Sequence, residues 1–147
     1  MPEGVLFTIG FTKKSAEVFF DKIKNAGVKK VIDIRLNNIS QLSGFAKRDD
    51  LKYFLRILCN CGYSHEPSLT PTKDILDDYR KRRIGWPEYV RRFSELMEAR
   101  AIKDMFTIEE LTDACLLCTE PTAEKCHRGV VADYFKRLFP GIEVIHL

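Results

Sequence analysis

The sequence predicts an α/β fold: a single three-layer domain, spanning residues 1–147, in which a mostly parallel sheet is flanked by helices. Three observations carry this reading. Short apolar runs closed by glycine or polar clusters alternate with longer segments whose apolar residues recur every three or four positions. The chain of 147 residues, 45% hydrophobic, suits one core rather than two. No linker, internal repeat or low-complexity stretch divides it.

Taken in order, Val5 to Ile9 reads as a first strand, stopped by Gly10. A helix follows from Ser15 to Ala26, with Ala16, Phe19, Phe20 and Ile23 at helical spacing, Ser15 as N-cap and Gly27 just past the end. The segment VKKVIDIR forms the second strand through Val31, Ile32 and Ile34. A helix from about Asp49 to Asn60 carries Leu51, Phe54, Leu55 and Leu58 on one side, and Tyr63 to Glu66 reads as a third strand or only an extended segment. Residues 72–100 read as two helices broken at Ile84-Gly85-Trp86. Thr72 caps the first, Pro87 opens the second, and Tyr89, Phe93 and Leu96 are its buried face. Thr107 and Glu110 have the spacing of a capping box before the strand Ala114 to Thr119. Val130, Val131, Tyr134, Phe135 and Leu138 then outline a helix closed by Pro140 and Gly141, and Ile142 to Leu147 is the last strand.

Several function classes fall away. No stretch approaches the roughly 18 apolar residues of a membrane span, and the start MPEGVLFTIGF lacks the basic and apolar regions of a secretion signal. A cytoplasmic protein without membrane contact is expected. Five cysteines, an odd number, argue for reduced thiols rather than a disulfide framework. A net charge of +3 is too small to define a partner, and the sequence sets no oligomeric state.

Parallel sheets bind ligands beyond the carboxyl ends of their strands, and three polar clusters fall there. They are Gly10 to Lys13 with Thr12, the pair Asp33 and Arg35, and the stretch CTEPTAEKCHR from Cys118 to Arg128. Side chains two apart on a strand share a face. Asp33 therefore goes with Arg35, and Cys118 with Glu120. A helix entered at or just before Cys126, His127 and Arg128 offers free amides and a positive dipole end, which favour an anion and lower a thiol's pKa.

These residues carry a resemblance. Thr8-Ile9-Gly10, Asp33-Ile34-Arg35, the segment Tyr63-Ser64-His65-Glu66-Pro67-Ser68-Leu69 and the pairing of Cys118-Thr119-Glu120 with Cys126-His127-Arg128 make the chain similar to the DUF488 family of small proteins. The resemblance implies a shared site built from these elements, and no assigned reaction. One departure is Thr70-Pro71, where relatives often carry glycines. A weaker similarity is to the rhodanese layout, with an acid and arginine ending one strand and a cysteine ending another. There, however, the thiol opens a tight loop with an arginine about six residues on. Here Cys118 and Arg128 are ten apart and Cys126 and Arg128 two.

Cys115, Cys118, Cys126 and His127 are also four soft ligands. Residues three apart on a strand face opposite sides, which sends Cys115 into the core, and no metal or cofactor is expected. Cys59, Cys61 and His146 read as structural. His65 reads equally as a substrate contact or as hydrogen-bonded structure. The segment YRKRRIGWPEYVRR, residues 79–92, has six cations interleaved with Tyr79, Trp86 and Tyr89, a pattern that fits phosphates and stacked bases. It fits a solvated face balanced by Asp74, Asp77, Asp78 and Glu88 as well.

The expectation is a small enzyme acting on a phosphorylated or nucleotide-like anion. Glu120, Asp33, Cys118, Cys126 and His127 would carry its chemistry, and Gly10, Thr12, Arg35, His65 and Arg128 would hold the substrate. The alternative is a non-catalytic nucleic-acid-binding module built on the same arginines and segment 79–92, and a rhodanese-like sulfurtransferase ranks third. A structural reading of Arg128, as the buried partner of Glu120 or Asp33, stands beside all of these.

Overall fold

The computed structural model of the chain describes residues 3–38, 41–119 and 126–147. Strands and helices alternate as β1 (Gly4–Gly10), α1 (Ala16–Ala26), β2 (Lys30–Asp33), α2 (Arg48–Cys59), β3 (Gly62–His65), α3 (Lys73–Arg80), α4 (Trp86–Ala99), α5 (Ile108–Leu111), β4 (Ala114–Cys118), α6 (His127–Leu138) and β5 (Ile142–His146). The sheet runs β3-β2-β4-β1-β5, and every pairing is parallel. Each parallel neighbour requires a crossover, so helices cover both faces and the central strands are mostly buried and mostly apolar. β4, Ala-Cys-Leu-Leu-Cys, is buried along its whole length.

Alternation along the strands divides the core in two. Phe7, Ile9, Val31, Cys115 and Leu117 meet Phe19, Phe20 and Ile23 of α1 and Leu51 and Leu55 of α2. Leu6, Ile32, Ile34, Leu116 and Cys118 face the other way, against Tyr89, Phe93 and Met97 of α4 and Val130, Val131, Tyr134 and Phe135 of α6. Cys115 and Cys118 thus lie in different layers, as their spacing requires.

Helix ends follow local chemistry. The Ser15 hydroxyl accepts the Val18 amide at 3.2 Å, and Gly27 closes α1 at φ 74°, a left-handed conformation that glycine takes without penalty. Thr107 caps α5 by accepting the Glu110 amide at 3.2 Å. Thr72 occupies the cap of α3 without a side-chain bond to the helix. Two details differ from expectation. Met97 rather than Leu96 completes the buried face of α4, because Tyr89, Phe93 and Met97 at steps of four form one ridge and Leu96 falls at its edge. Residues Gln41–Ala46, two short 3-10 turns kinked at Gly44 (φ 55°), precede α2; so short a piece has no apolar periodicity to announce it. Among the described residues no helix is long and apolar enough to cross a membrane.

Candidate functional site

At the end of β2 the chain turns on a buried ion pair. Arg35 donates to Asp33 through Nε to Oδ1 and Nη2 to Oδ2, both at 2.8 Å, and through its backbone amide to Oδ1 at 3.1 Å. The Tyr63 hydroxyl donates to Oδ2 at 2.5 Å, and Asn38 Nδ2 reaches both Oδ2 (3.4 Å) and the Tyr63 oxygen (3.1 Å). Asp33 and Arg35 are almost wholly shielded, at 0% and 2% exposure. Burial pushes the Asp33 carboxyl up, but the Arg35 hydrogen bonds and charge, helped by Tyr63, pull it further down, so it stays below its ordinary range and ionised. The same burial and the neighbouring carboxylate push Tyr63 up and keep its proton on. The guanidinium also lies over the Phe11 ring at 5.3 Å. Its Nη1, though buried, has no hydrogen-bond partner among the described residues.

The next carbonyl ties three segments together. Ile34 O accepts the Thr70 hydroxyl at 3.0 Å and His127 Nε2 at 2.6 Å. A carbonyl only accepts, so the His127 proton sits on Nε2 and Nδ1 keeps its lone pair. Burial drives this imidazole down to about 4, against the bond to Ile34 and with the charges of Arg80 and Arg128, so His127 is neutral at pH 7. Arg100 Nη1 donates to the Ser68 and Thr70 carbonyls at 2.8 and 2.6 Å, fixing the loop that carries Thr70-Pro71.

Cys118 ends β4 and Cys126 caps α6. Their sulfurs meet in the structure, across a Cα separation of 7.8 Å. The reason is topological: β4 delivers Cys118 toward the face that α6 covers, and the α6 cap returns there. A ring nitrogen of His127 and the two sulfurs all lie within 4.8 Å of one another. Arg128, buried at 1% exposure, donates through Nη1 to the Cys118 sulfur at 3.8 Å.

Beyond the carboxyl ends of β2 and β4 opens a pocket of about 200 Å³, whose polar wall includes Arg35, Thr70, Arg80, Thr119, Cys126 and His127. Tyr79 and Tyr89 form part of its aromatic side. Of the residues singled out from sequence, Arg35, Cys126 and His127 reach this wall, with Asp33 and Cys118 directly behind them. Arg128 lies with Cys118 beneath the wall. His65 sits beside Arg35, its Nε2 donating to the Arg35 carbonyl at 3.1 Å, and faces a neighbouring depression. Gly10 ends β1 opposite Cys118, and the Thr12 amide is taken by the Thr119 carbonyl at 3.2 Å. Glu120 lies outside the described residues.

Sequence reasoning passed over Thr70, Thr119, Arg80, Tyr63 and Asn38 as site residues. Tyr63 had a signal, since it stands two residues before His65 on one strand and so shares its face of the sheet. Arg80 was seen only as part of a charge run. That run is largely balanced: Arg83 and Arg92 bind Asp78 at 3.2 and 2.9 Å, and Arg91 binds Glu88 and Glu95. Trp86 stacks on Tyr89 with centroids 5.2 Å apart, and Tyr79 packs on both, so these rings are used internally.

A doubly covered, fully parallel α/β protein with arginines, a histidine and a thiol gathered beyond its strand ends is the class that fold and site define. Within it the chain belongs to the DUF488 family, a domain of unknown function whose model matches residues 15–135. The match includes the Asp-Ile-Arg, Tyr-Ser-His and Cys-His-Arg elements described above. Comparison with curated proteins and with solved structures finds no match.

Proposed function

We propose that the chain is a small enzyme acting on a phosphorylated or nucleotide-like anion bound in the pocket beyond β2 and β4. The observation that carries this is Arg35, a buried guanidinium on the pocket wall, held rigid by Asp33, with Nη1 left unmatched among the described residues. A buried donor without a partner costs about 1–3 kcal/mol, which an anionic oxygen would recover. Arg80 supplies the second positive charge from the exposed rim, and Thr119 adds a hydroxyl donor. Cys126 and His127 face the bound anion and carry the chemistry. Asp33 positions Arg35, and Arg128 positions Cys118.

The test is a thermal melt of the protein with inorganic phosphate, pyrophosphate and nucleoside mono- and diphosphates. A ligand at 100 times its Kd stabilises by about 2.7 kcal/mol, which for a chain of this length raises Tm by roughly 5–10 °C. Arg80→Ala should melt like the wild type and lose most of that rise. If no phosphorylated compound moves the wild-type melt, the reading fails.

A second reading keeps segment 79–92 as a nucleic-acid contact. Its support is that Arg80, Lys81 and Arg82 make no ion pair among the described residues, and that Arg80 and Arg82 line a shallow groove with Arg83. Three phosphate contacts to a single strand give a slope of log K against log salt of about −2. Absence of salt-dependent binding to single-stranded RNA or DNA removes this reading.

A further inference from the structure

We propose that Cys118, Cys126 and His127 together hold one soft divalent cation, zinc by the chemistry of its ligands, with the fourth coordination position open to the pocket. Ion binding stands on the three side chains alone. That its open position faces a substrate rests on the enzyme reading above.

Two thiolates and an imidazole are a donor set that selects zinc over magnesium or calcium, and three protein ligands with one open position is the arrangement of catalytic rather than structural sites. The two sulfurs and a ring nitrogen of His127 already lie within 4.8 Å of one another. A tetrahedral zinc asks for donor separations of about 3.5–3.8 Å, within reach of side-chain rotation. The Cα separation of 7.8 Å between the cysteines exceeds the roughly 4.4–6.8 Å usual for a disulfide, so the reduced side chains can turn apart far enough to take an ion between them.

Two further contacts are those of a ligand set held ready. His127 donates Nε2–H to the Ile34 carbonyl at 2.6 Å, which fixes the ring and leaves Nδ1 as the free donor. Metal-bound histidines characteristically spend their second nitrogen on such an acceptor. Arg128 Nη1 points its proton at the Cys118 sulfur, 3.8 Å away, as outer-shell donors to thiolates do. Cys126 and His127 belong to the pocket wall that also bears Arg35. An ion between two thiolates is locally neutral, so Arg35 and Arg80 remain available to an anion. Zinc in this position supplies a Lewis acid for a substrate oxygen or an activated water. The strand argument that removed Cys115 from a zinc site still holds, since Cys115 lies in the other layer. What it missed is that the two remaining cysteines and His127 converge without it.

The full-length protein, purified under reductant without chelator, should carry roughly one zinc per chain by elemental analysis. After zinc removal, cobalt(II) titration should give the intense near-ultraviolet thiolate-to-metal band and the visible bands of a tetrahedral site. Cys126→Ser and His127→Ala should each weaken cobalt binding at least about tenfold, while Cys59→Ser, far from the site, should bind like the wild type. A reduced wild type that takes up cobalt without a thiolate band overturns the proposal whether or not the variants fold. So does a band that survives Cys126→Ser. Arg80→Ala should keep the cobalt band while losing the anion-induced melting shift, so failure of the metal site and failure of the anion reading give different results.

Discussion

Asp33→Asn is the perturbation that most directly tests how the site is built. The substitution keeps the side chain's shape and one acceptor oxygen, but it removes the charge that offsets a guanidinium 1% exposed at the side chain. Breaking one partner of a buried ion pair costs about 3–5 kcal/mol, because the other charge is left uncompensated. Against a total of about 5–15 kcal/mol for a domain, that is a large fraction, and it corresponds to a fall in Tm on the order of 10 °C. Tyr63→Phe, which removes only the hydroxyl donor to the same carboxylate, should cost less, about 1.5–3 kcal/mol. Urea unfolding at pH 7 measures both through the midpoint at constant slope.

The pH dependence is a second readout with a definite sign. The Asp33 carboxyl is held below its ordinary value in the folded state. Its contribution is therefore fully present above the unfolded value, about 3.9, and is lost as pH falls through the lower folded value. Asp33→Asn should flatten the wild-type decline in stability over that acid window. A loss below about 1 kcal/mol at pH 7, with the acid decline unchanged, would refute the claim that the pair is a buried, charged support for Arg35.

Three further outcomes follow from the same geometry. Arg128→Lys keeps a charge but not the planar fork beside Cys118, and should lower stability by about 1–3 kcal/mol while preserving any anion-induced shift; an unchanged melt with a weakened shift would return Arg128 to the substrate. Ser15→Ala, losing the cap on α1, should cost about 1 kcal/mol in urea unfolding and leave pocket binding untouched. Gly27→Ala places a β-carbon at φ 74° with nothing within 4 Å to clash, so strain alone should cost about 1 kcal/mol.

The layered fold was legible because its signals are local and repeated. Alternation in β4 places Cys115 with Leu117 and Cys118 with Leu116, and one strand's periodicity was enough to say so. Ser15, Gly27 and Thr107 mark helix ends by chemistry that acts over three or four residues. The candidate site was legible only where a motif sits at a strand end, as with Asp33 and Arg35, or at a helix start, as with Cys126 and His127. Thr70, Arg80 and Asn38 were not, because each comes near Arg35 or Asp33 only through the path of a loop or the position of α3. The meeting of Cys118 and Cys126 depends likewise on how α6 returns over β4, a long-range fact that spacing alone cannot carry.

The strand order has a consequence for how the chain is made. Among the described residues β1 pairs with β4 and β5, and β4 is the strand inserted between β1 and β2. About a hundred residues separate the end of β1 from the start of β4, so at about 5–20 residues per second of synthesis β1 waits on the order of 5–20 s for its first partner. Throughout that interval the run Val5-Leu6-Phe7-Thr8-Ile9 has two unpaired edges, and it contains neither charge nor proline to discourage intermolecular pairing. A nascent chain of this kind completes its sheet only after its final third emerges, which makes early β1 a natural client for a holding chaperone and premature termination a route to aggregation rather than to a smaller folded protein.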